Sequence, residues 1–139
     1  MKYFNVLIVV LVLGAFVSGC SKYREIDKSQ TSERMGLIYD NSSSEPYTGK
    51  VVSKYNNGET EKIESYKNGE LVGKIDYYES GQIALKRNFK DGKLSGKFIA
   101  YYESGKIKLK GNYKDGRADV TMYDENGRSM GTKTFKDDN

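Results

Sequence analysis

Few residues in this chain have the chemistry to act on a substrate. The 139-residue sequence contains no His and a single Cys, Cys20. Nucleophile–base pairs of the Ser-His or Cys-His kind therefore cannot be assembled, and a soft metal site lacks its usual ligands. Paired carboxylates remain. Glu79 and Glu103 stand 24 residues apart in matching contexts, Tyr-Glu-Ser-Gly in both cases, and two such groups would suit glycoside hydrolysis. Each, however, leads into a Ser-Gly turn at the same place in a repeat, where a solvated side chain is expected. The sequence points to no catalytic residue, no metal and no cofactor, and hence to a protein that is not an enzyme.

Cys20 has a different kind of chemistry. The chain opens with Met1-Lys2, a minimal basic segment, followed by an apolar run from Val6 to Val17. That run is too short to span a bilayer, which takes about 20 residues, and it suits the apolar part of an export signal. Val17-Ser18-Gly19-Cys20 then resembles the bacterial lipobox: an aliphatic residue, two small residues and a cysteine. The resemblance implies removal of residues 1–19 and attachment of lipid to the Cys20 thiol, with palmitate among its acyl chains. Ser21 follows; a residue other than Asp there favours the outer membrane in a diderm bacterium. In a monoderm the same lipid would hold the protein on the outer face of the plasma membrane. With its sole cysteine lipidated, the monomer has no disulfide.

Composition limits what the remainder can build. Removing residues 1–19 takes away Lys2 and no acid, which lowers the net charge from +4 to +3. Both signs are interspersed, unlike the clustered basic face of a nucleic-acid binder. Tyr is abundant at 12 residues, whereas aliphatic side chains thin out after residue 20. A thick core is out of reach, and a thin, single-layer architecture is expected. Residues 20–35 read as the lipidated N-terminus and a flexible tether, polar and without apolar period; residues 36–139 read as the folded domain.

That domain is an internal repeat. One unit holds Gly49-Lys50, Tyr55-Asn56-Asn57-Gly58 and Tyr66-Lys67-Asn68-Gly69; the next holds Gly73-Lys74, Tyr78-Glu79-Ser80-Gly81 and Phe89-Lys90-Asp91-Gly92. The third has Gly96-Lys97, Tyr102-Glu103-Ser104-Gly105 and Tyr113-Lys114-Asp115-Gly116, and a degenerate fourth runs from Ala118 through Gly127 to Phe135. In every unit the turn glycine and the following aromatic are eight residues apart. Asn-Gly, Ser-Gly and Asp-Gly pairs tolerate the positive φ of tight hairpins. The stretches between them alternate with period 2. Ile107, Leu109 and Tyr113 are expected on one face with Lys106, Lys108 and Lys110 on the other, and Ile83, Leu85 and Phe89 repeat the pattern. The fold class is all-β, an elongated antiparallel meander of about nine strands in β-hairpins. The middle units, with the clearest pattern, are expected to be the best ordered, and the terminal Lys136-Asp137-Asp138-Asn139 to blunt the last edge.

Tyr77-Tyr78-Glu79-Ser80-Gly81 and Tyr101-Tyr102-Glu103-Ser104-Gly105, each after a Gly-Lys pair, resemble the bacterial MORN repeat variant over about residues 36–136. Ala118 in place of the leading glycine and Phe98 or aliphatics in place of a Trp depart from the pattern. The resemblance implies a stacked-hairpin scaffold. Relatives of this kind carry labels as antitoxins or phosphoinositide kinases; the kinase label finds no Gly-rich phosphate loop or metal-binding acidic motif here. The resulting expectation is a membrane-anchored scaffold with a protein partner at the cell envelope, held by the Cys20 lipid in the bilayer. An immunity protein against a specific toxin and a surface adhesin for glycan or lipid are the alternatives. Tyr77, Tyr78, Tyr101 and Tyr102 are the candidate contact aromatics, one of each pair packing inward and the other displayed. Lys106, Lys108 and Lys110 form the candidate basic stripe.

Overall fold

The computed structural model describes residues 24–136. Strands β1 (Arg24–Asp27), β2 (Thr31–Arg34), β3 (Leu37–Asp40), β4 (Gly49–Lys54), β5 (Thr60–Lys67) and β6 (Glu70–Tyr77) are followed by β7 (Ile83–Lys90) and β8 (Lys93–Leu94). Strands β9 (Gly96–Tyr101), β10 (Ile107–Lys114), β11 (Arg117–Tyr123) and β12 (Ser129–Lys136) complete the chain. The main sheet runs β1-β4-β5-β6-β7-β9-β10-β11-β12, with the short β8 attached to β7. From β4 onward every pairing is antiparallel, so the expected meander of hairpins is the architecture. At about 4.8 Å per strand, the nine-strand path extends roughly 40 Å.

Two turn types alternate along it. Asn68-Gly69, Asp91-Gly92 and Asp115-Gly116 have positive φ at both residues, the conformation of two-residue hairpins whose twist matches the flanking strands. At the other edge, the Gly58, Gly81, Gly105 and Gly127 amides each donate to a carbonyl three residues back, and all four glycines have positive φ. The strands meet there through a recurring bulge. Register shifts leave one extra residue in each unit, flanked by the pairs Lys54–Thr60, Tyr77–Ile83, Tyr101–Ile107 and Tyr123–Ser129.

The bulge corrects the expected faces. Leu109 lies opposite Ala100 and Met122, whereas Ile107 lies opposite Tyr101. Ile107 therefore sits on the opposite face from Leu109 and Tyr113, because the extra residue resets the period-2 alternation. Ile83 is displaced from Leu85 and Phe89 in the same way, pairing with Tyr77.

The N-terminal end departs most from expectation. The segment read as tether is structured from Arg24: β1 pairs in parallel with β4, placing Ile26 beside Val51. A 3-10 turn at Lys28–Gln30, capped by Asp27, leads into the β2–β3 hairpin. Ile26, Ile38, Tyr47, Val51 and Tyr66 form a buried cluster with Leu71 against it, and Val51 is 0% exposed. The burial thus gathers at this end and not in the middle units. In the fourth unit β12 pairs with β11 along Arg117–Tyr123, and Ala118 is buried between Tyr113 and Phe135. Its leading glycine is replaced by a residue small enough to fit. All eight residues of β12 are exposed; Asp137, Asp138 and Asn139 lie outside the described residues.

Candidate interaction surface

Cross-strand register sorts the side chains onto two faces. One row runs Ile26, Val51, Glu64, Lys74 and Arg87 across β1, β4, β5, β6 and β7. This face carries the buried cluster and, next to it, an ion network that sequence reading did not single out. Lys74 lies 3.9 Å from Glu64 and 3.7 Å from Asp76, and Arg87 also pairs with Asp76. These side chains are 13–27% exposed, so the charges are held where partial burial strengthens their attraction. No local pattern in the sequence announces the network, because its members come from three strands. The same face continues as Phe98, Gly111 and Val120. A Cβ on Gly111 would fall 2.8 Å from the Asp119 carbonyl and closer still to the Phe98 ring, so the glycine makes room for Phe98 to reach Tyr113, 5.4 Å away centroid to centroid.

The opposite face carries the row Val52, Ile63, Ile75, Lys86, Ile99, Lys110, Thr121 and Thr132. Beside it lie Tyr77 with Ile83, Tyr101 with Ile107, and Tyr123 with Ser129. The Lys86 ammonium stands 5.8 Å from the Tyr101 ring centre and Lys110 stands 5.2 Å from Tyr123, contacts of the cation–π kind. Among the described residues no second layer covers this face, since every strand but β2 and β3 belongs to the main sheet.

The candidate tyrosines are placed differently from the inward-and-displayed expectation. Tyr77, Tyr78, Tyr101 and Tyr102 are all half-buried. Tyr55 Oη donates to the Tyr77 carbonyl (2.6 Å), Tyr78 Oη to Tyr101 (2.7 Å) and Tyr102 Oη to Tyr123 (2.8 Å). Each loop tyrosine thereby clasps the next unit. In the fourth unit Asp124 takes the equivalent position and accepts from the amides of Asn126 and Arg128, closing its own turn. Tyr78 and Tyr102 are joints; Tyr77 and Tyr101 remain surface aromatics. Burial, with smaller contributions from Glu61, Glu79 and Asp76, raises the Tyr55 hydroxyl's pKa above its ordinary value.

The lysine stripe is also redistributed by the bulge. Lys110 joins the Tyr123 face, Lys108 is the extra residue and lies 5.6 Å from the Tyr102 ring, and Lys106 donates to the Glu125 carbonyl. They do not form one row. Val17, Ser18, Gly19 and Cys20 lie outside the described residues. Among the described residues no group of three or more His, Cys, Asp and Glu is arranged to hold a metal ion.

Comparison with protein-family models matches the MORN repeat variant at residues 73–91 and 94–115. These two stretches carry the Tyr-Glu-Ser-Gly turns of the second and third units, and the hairpin geometry continues beyond them on both sides. Comparison with curated proteins gives no match. Fold and match together define a β-hairpin repeat scaffold.

Proposed function

We propose that this chain is a non-enzymatic lipoprotein, anchored through Cys20 at the cell envelope, whose repeat sheet binds a protein partner. The observation that carries the binding role is the open face bearing Tyr77, Tyr101 and Tyr123 among isoleucines and lysines. Aromatics already held half-buried lose little freedom on binding, and their rings supply rigid contact area. The lysines beside them give the face a cationic character suited to a partner with acidic groups. The anchoring role rests on the basic start, the apolar run and Val17-Ser18-Gly19-Cys20. It places the protein at the outer membrane of a diderm or the outer face of a monoderm's plasma membrane.

Crosslinking and capture from intact cells tests the binding role. The wild-type chain should recover a protein that the Tyr77→Ser/Tyr101→Ser variant does not, while both fold alike by circular dichroism. Recovery by both variants, or by neither, would remove this face from the account. Labelling with an alkyne-tagged fatty acid tests the anchor: wild type should be labelled and Cys20→Ser should not.

A further inference from the structure

Gly73 and Gly111 are the two described glycines whose φ is not positive. Phe98 explains Gly111, since its ring occupies the space a side chain would take. Gly73 has no such neighbour: an added Cβ would meet nothing closer than 3.8 Å. Neither conformation nor packing calls for glycine there, and a glycine inside a strand weakens it. A bare position of this kind suits the close approach of a ligand or of another chain.

The sheet is also irregular at this place. Val72 is an extra residue in β6, between the pairs Tyr66–Leu71 and Ser65–Gly73. It brings Gly73 to the row in which β4 and β9 carry Lys50 and Lys97. Nearby, the ladder between β7 and β9 stops at Lys86–Ile99, and the Asn88 amide bridges to the Lys97 carbonyl at 2.9 Å. The result is a hollow of about 300 Å³ over Gly73, the size of the smaller ligand sites of proteins. Ile75, Lys86 and Ile99 bound it on one side, and Ser65, Asn88 and Lys97 on the other. All six belong to the open face that carries Tyr77 and Tyr101.

The polar groups of the hollow favour an anion. Lys86 and Lys97 supply two cations, and neither takes part in the ion pairs of the described residues. The Ser65 hydroxyl and the Asn88 amide supply hydrogen-bond donors. Among the described residues no Asp or Glu lines the hollow. The acids around it are set apart. Glu64 and Asp76 lie on the other face with Lys74 and Arg87, Glu70 is opposite Lys67, and Asp119 is two strands from Lys97. Lys50, opposite Ser65, has Glu25 on its other side. Ile75 and Ile99 add apolar wall, so the hollow fits a group with a charged end and an apolar body.

We infer that this hollow captures the C-terminal residue of a partner chain. Lys86, Lys97 and the Ser65 and Asn88 donors hold its carboxylate, and Ile75 and Ile99 flank its apolar side chain. The inference rests on the protein-binding reading above and specifies which end of the partner is recognised. A chain terminus carries carboxylate and apolar side chain on one residue, matching both kinds of wall; an internal Asp or Glu offers the carboxylate alone. Charge-assisted hydrogen bonds are roughly twice as strong as neutral ones, so an amide in place of the carboxylate keeps the shape and loses the attraction. Capture of a terminal carboxylate is a recurring mode of peptide recognition.

Backbone amide shifts of isotope-labelled residues 20–139 carrying Cys20→Ser, which contain the whole described fold, read this binding even when it is weak. The probes are acetyl-Gly-Ser-Gly-Ser-Leu with a free carboxylate, the same peptide as its C-terminal amide, and acetyl-Gly-Ser-Glu-Ser-Leu-amide, whose carboxylate is internal. The free acid should shift the amides of Gly73, Ile75, Asn88 and Ile99 and bind more than about tenfold tighter than either amide. Lys86→Gln/Lys97→Gln should weaken it about tenfold, and Gly73→Val, which fills the hollow, by more. Lys133→Gln, on the opposite face of β12, should change it less than about twofold. Circular dichroism checks that the variants fold; if Gly73→Val does not, the lysine pair decides. No shifts at millimolar peptide, equal binding of acid and amide, equal binding of the internal-Glu peptide, or shifts centred elsewhere would overturn the inference. Such a failure beside a partner captured through Tyr77 and Tyr101 removes the hollow and leaves the binding face; capture of no partner removes the face.

Discussion

The two ends of the sheet solve the same problem in opposite ways. Strand β1, itself paired only with β4, forms the N-terminal edge and, with the β2–β3 hairpin, contributes to a compact cluster in which Val51 is completely covered. At the C-terminal end β12 is paired on one side only and exposed along its whole length, with Met130 68% and Phe135 50% exposed. Between them each unit is held by its neighbours through ladder hydrogen bonds, one tyrosine clasp per joint and side-chain contacts such as Lys74–Glu64 and Lys106 to the Glu125 carbonyl. Nearest-neighbour coupling of this kind lets stability vary along a repeat protein. In this thin sheet the anchoring core lies in the cap and not in the repeats.

The largest losses of stability are expected from substitutions in the cap and at tightly packed backbone. Val51→Ala, at the centre of the cap, should cost about 2 kcal/mol, measured by urea unfolding. Gly111→Ala should cost a similar amount, about 2 kcal/mol, for a different reason: its methyl group would collide with Phe98 and the Asp119 carbonyl. Gly73→Ala meets nothing closer than 3.8 Å and serves as its control, with a cost below about 1 kcal/mol.

pH acts on the cap from both sides. Burial, reinforced by Glu64, holds the Tyr66 hydroxyl far above its ordinary pKa. The unfolded chain therefore releases this proton first, and stability present below about pH 10 falls as pH rises beyond it. Asp40 is shifted the other way. Hydrogen bonds from Ser42, aided by Arg24, hold its carboxyl below the usual range, so its contribution is present above about pH 4 and is lost as pH falls through the lowered value. Melting temperature should decline at both extremes, and the alkaline decline should flatten in Tyr66→Phe.

Smaller effects sharpen the picture. Tyr102→Phe removes one clasp and should cost about 1 kcal/mol; a double variant with Tyr78→Phe should be close to additive if the joints act separately. Phe135→Ala, half exposed on the last strand, should cost about 0.5 kcal/mol.

The hairpin repeat was legible because its turns have local chemistry. Asn68-Gly69 and Asp91-Gly92 state their conformation in two residues, and the fixed spacing from turn glycine to aromatic repeats it. The bulge was not legible, since one extra residue between Ile107 and Leu109 leaves the apolar spacing looking regular while turning Ile107 to the other face. The cap was hidden for another reason. Arg24–Asp27 offers a single buried side chain, Ile26, and a parallel pairing with β4 gives no local signal in so polar a stretch. Of the candidate surface, the sequence identified the tyrosines but not their division. Tyr78 and Tyr102 became clasps because their hydroxyls reach carbonyls 23 and 21 residues away, a distance no local pattern encodes.

Native-state hydrogen exchange resolved by residue tests the graded sheet most directly. The slowest amides should lie in β4 and β5, around Val51, Val52 and Tyr66, with protection falling unit by unit toward β12. Uniform protection from β4 to β12, or slowest exchange in β9 and β10, would contradict an account in which the N-terminal cap anchors the repeats.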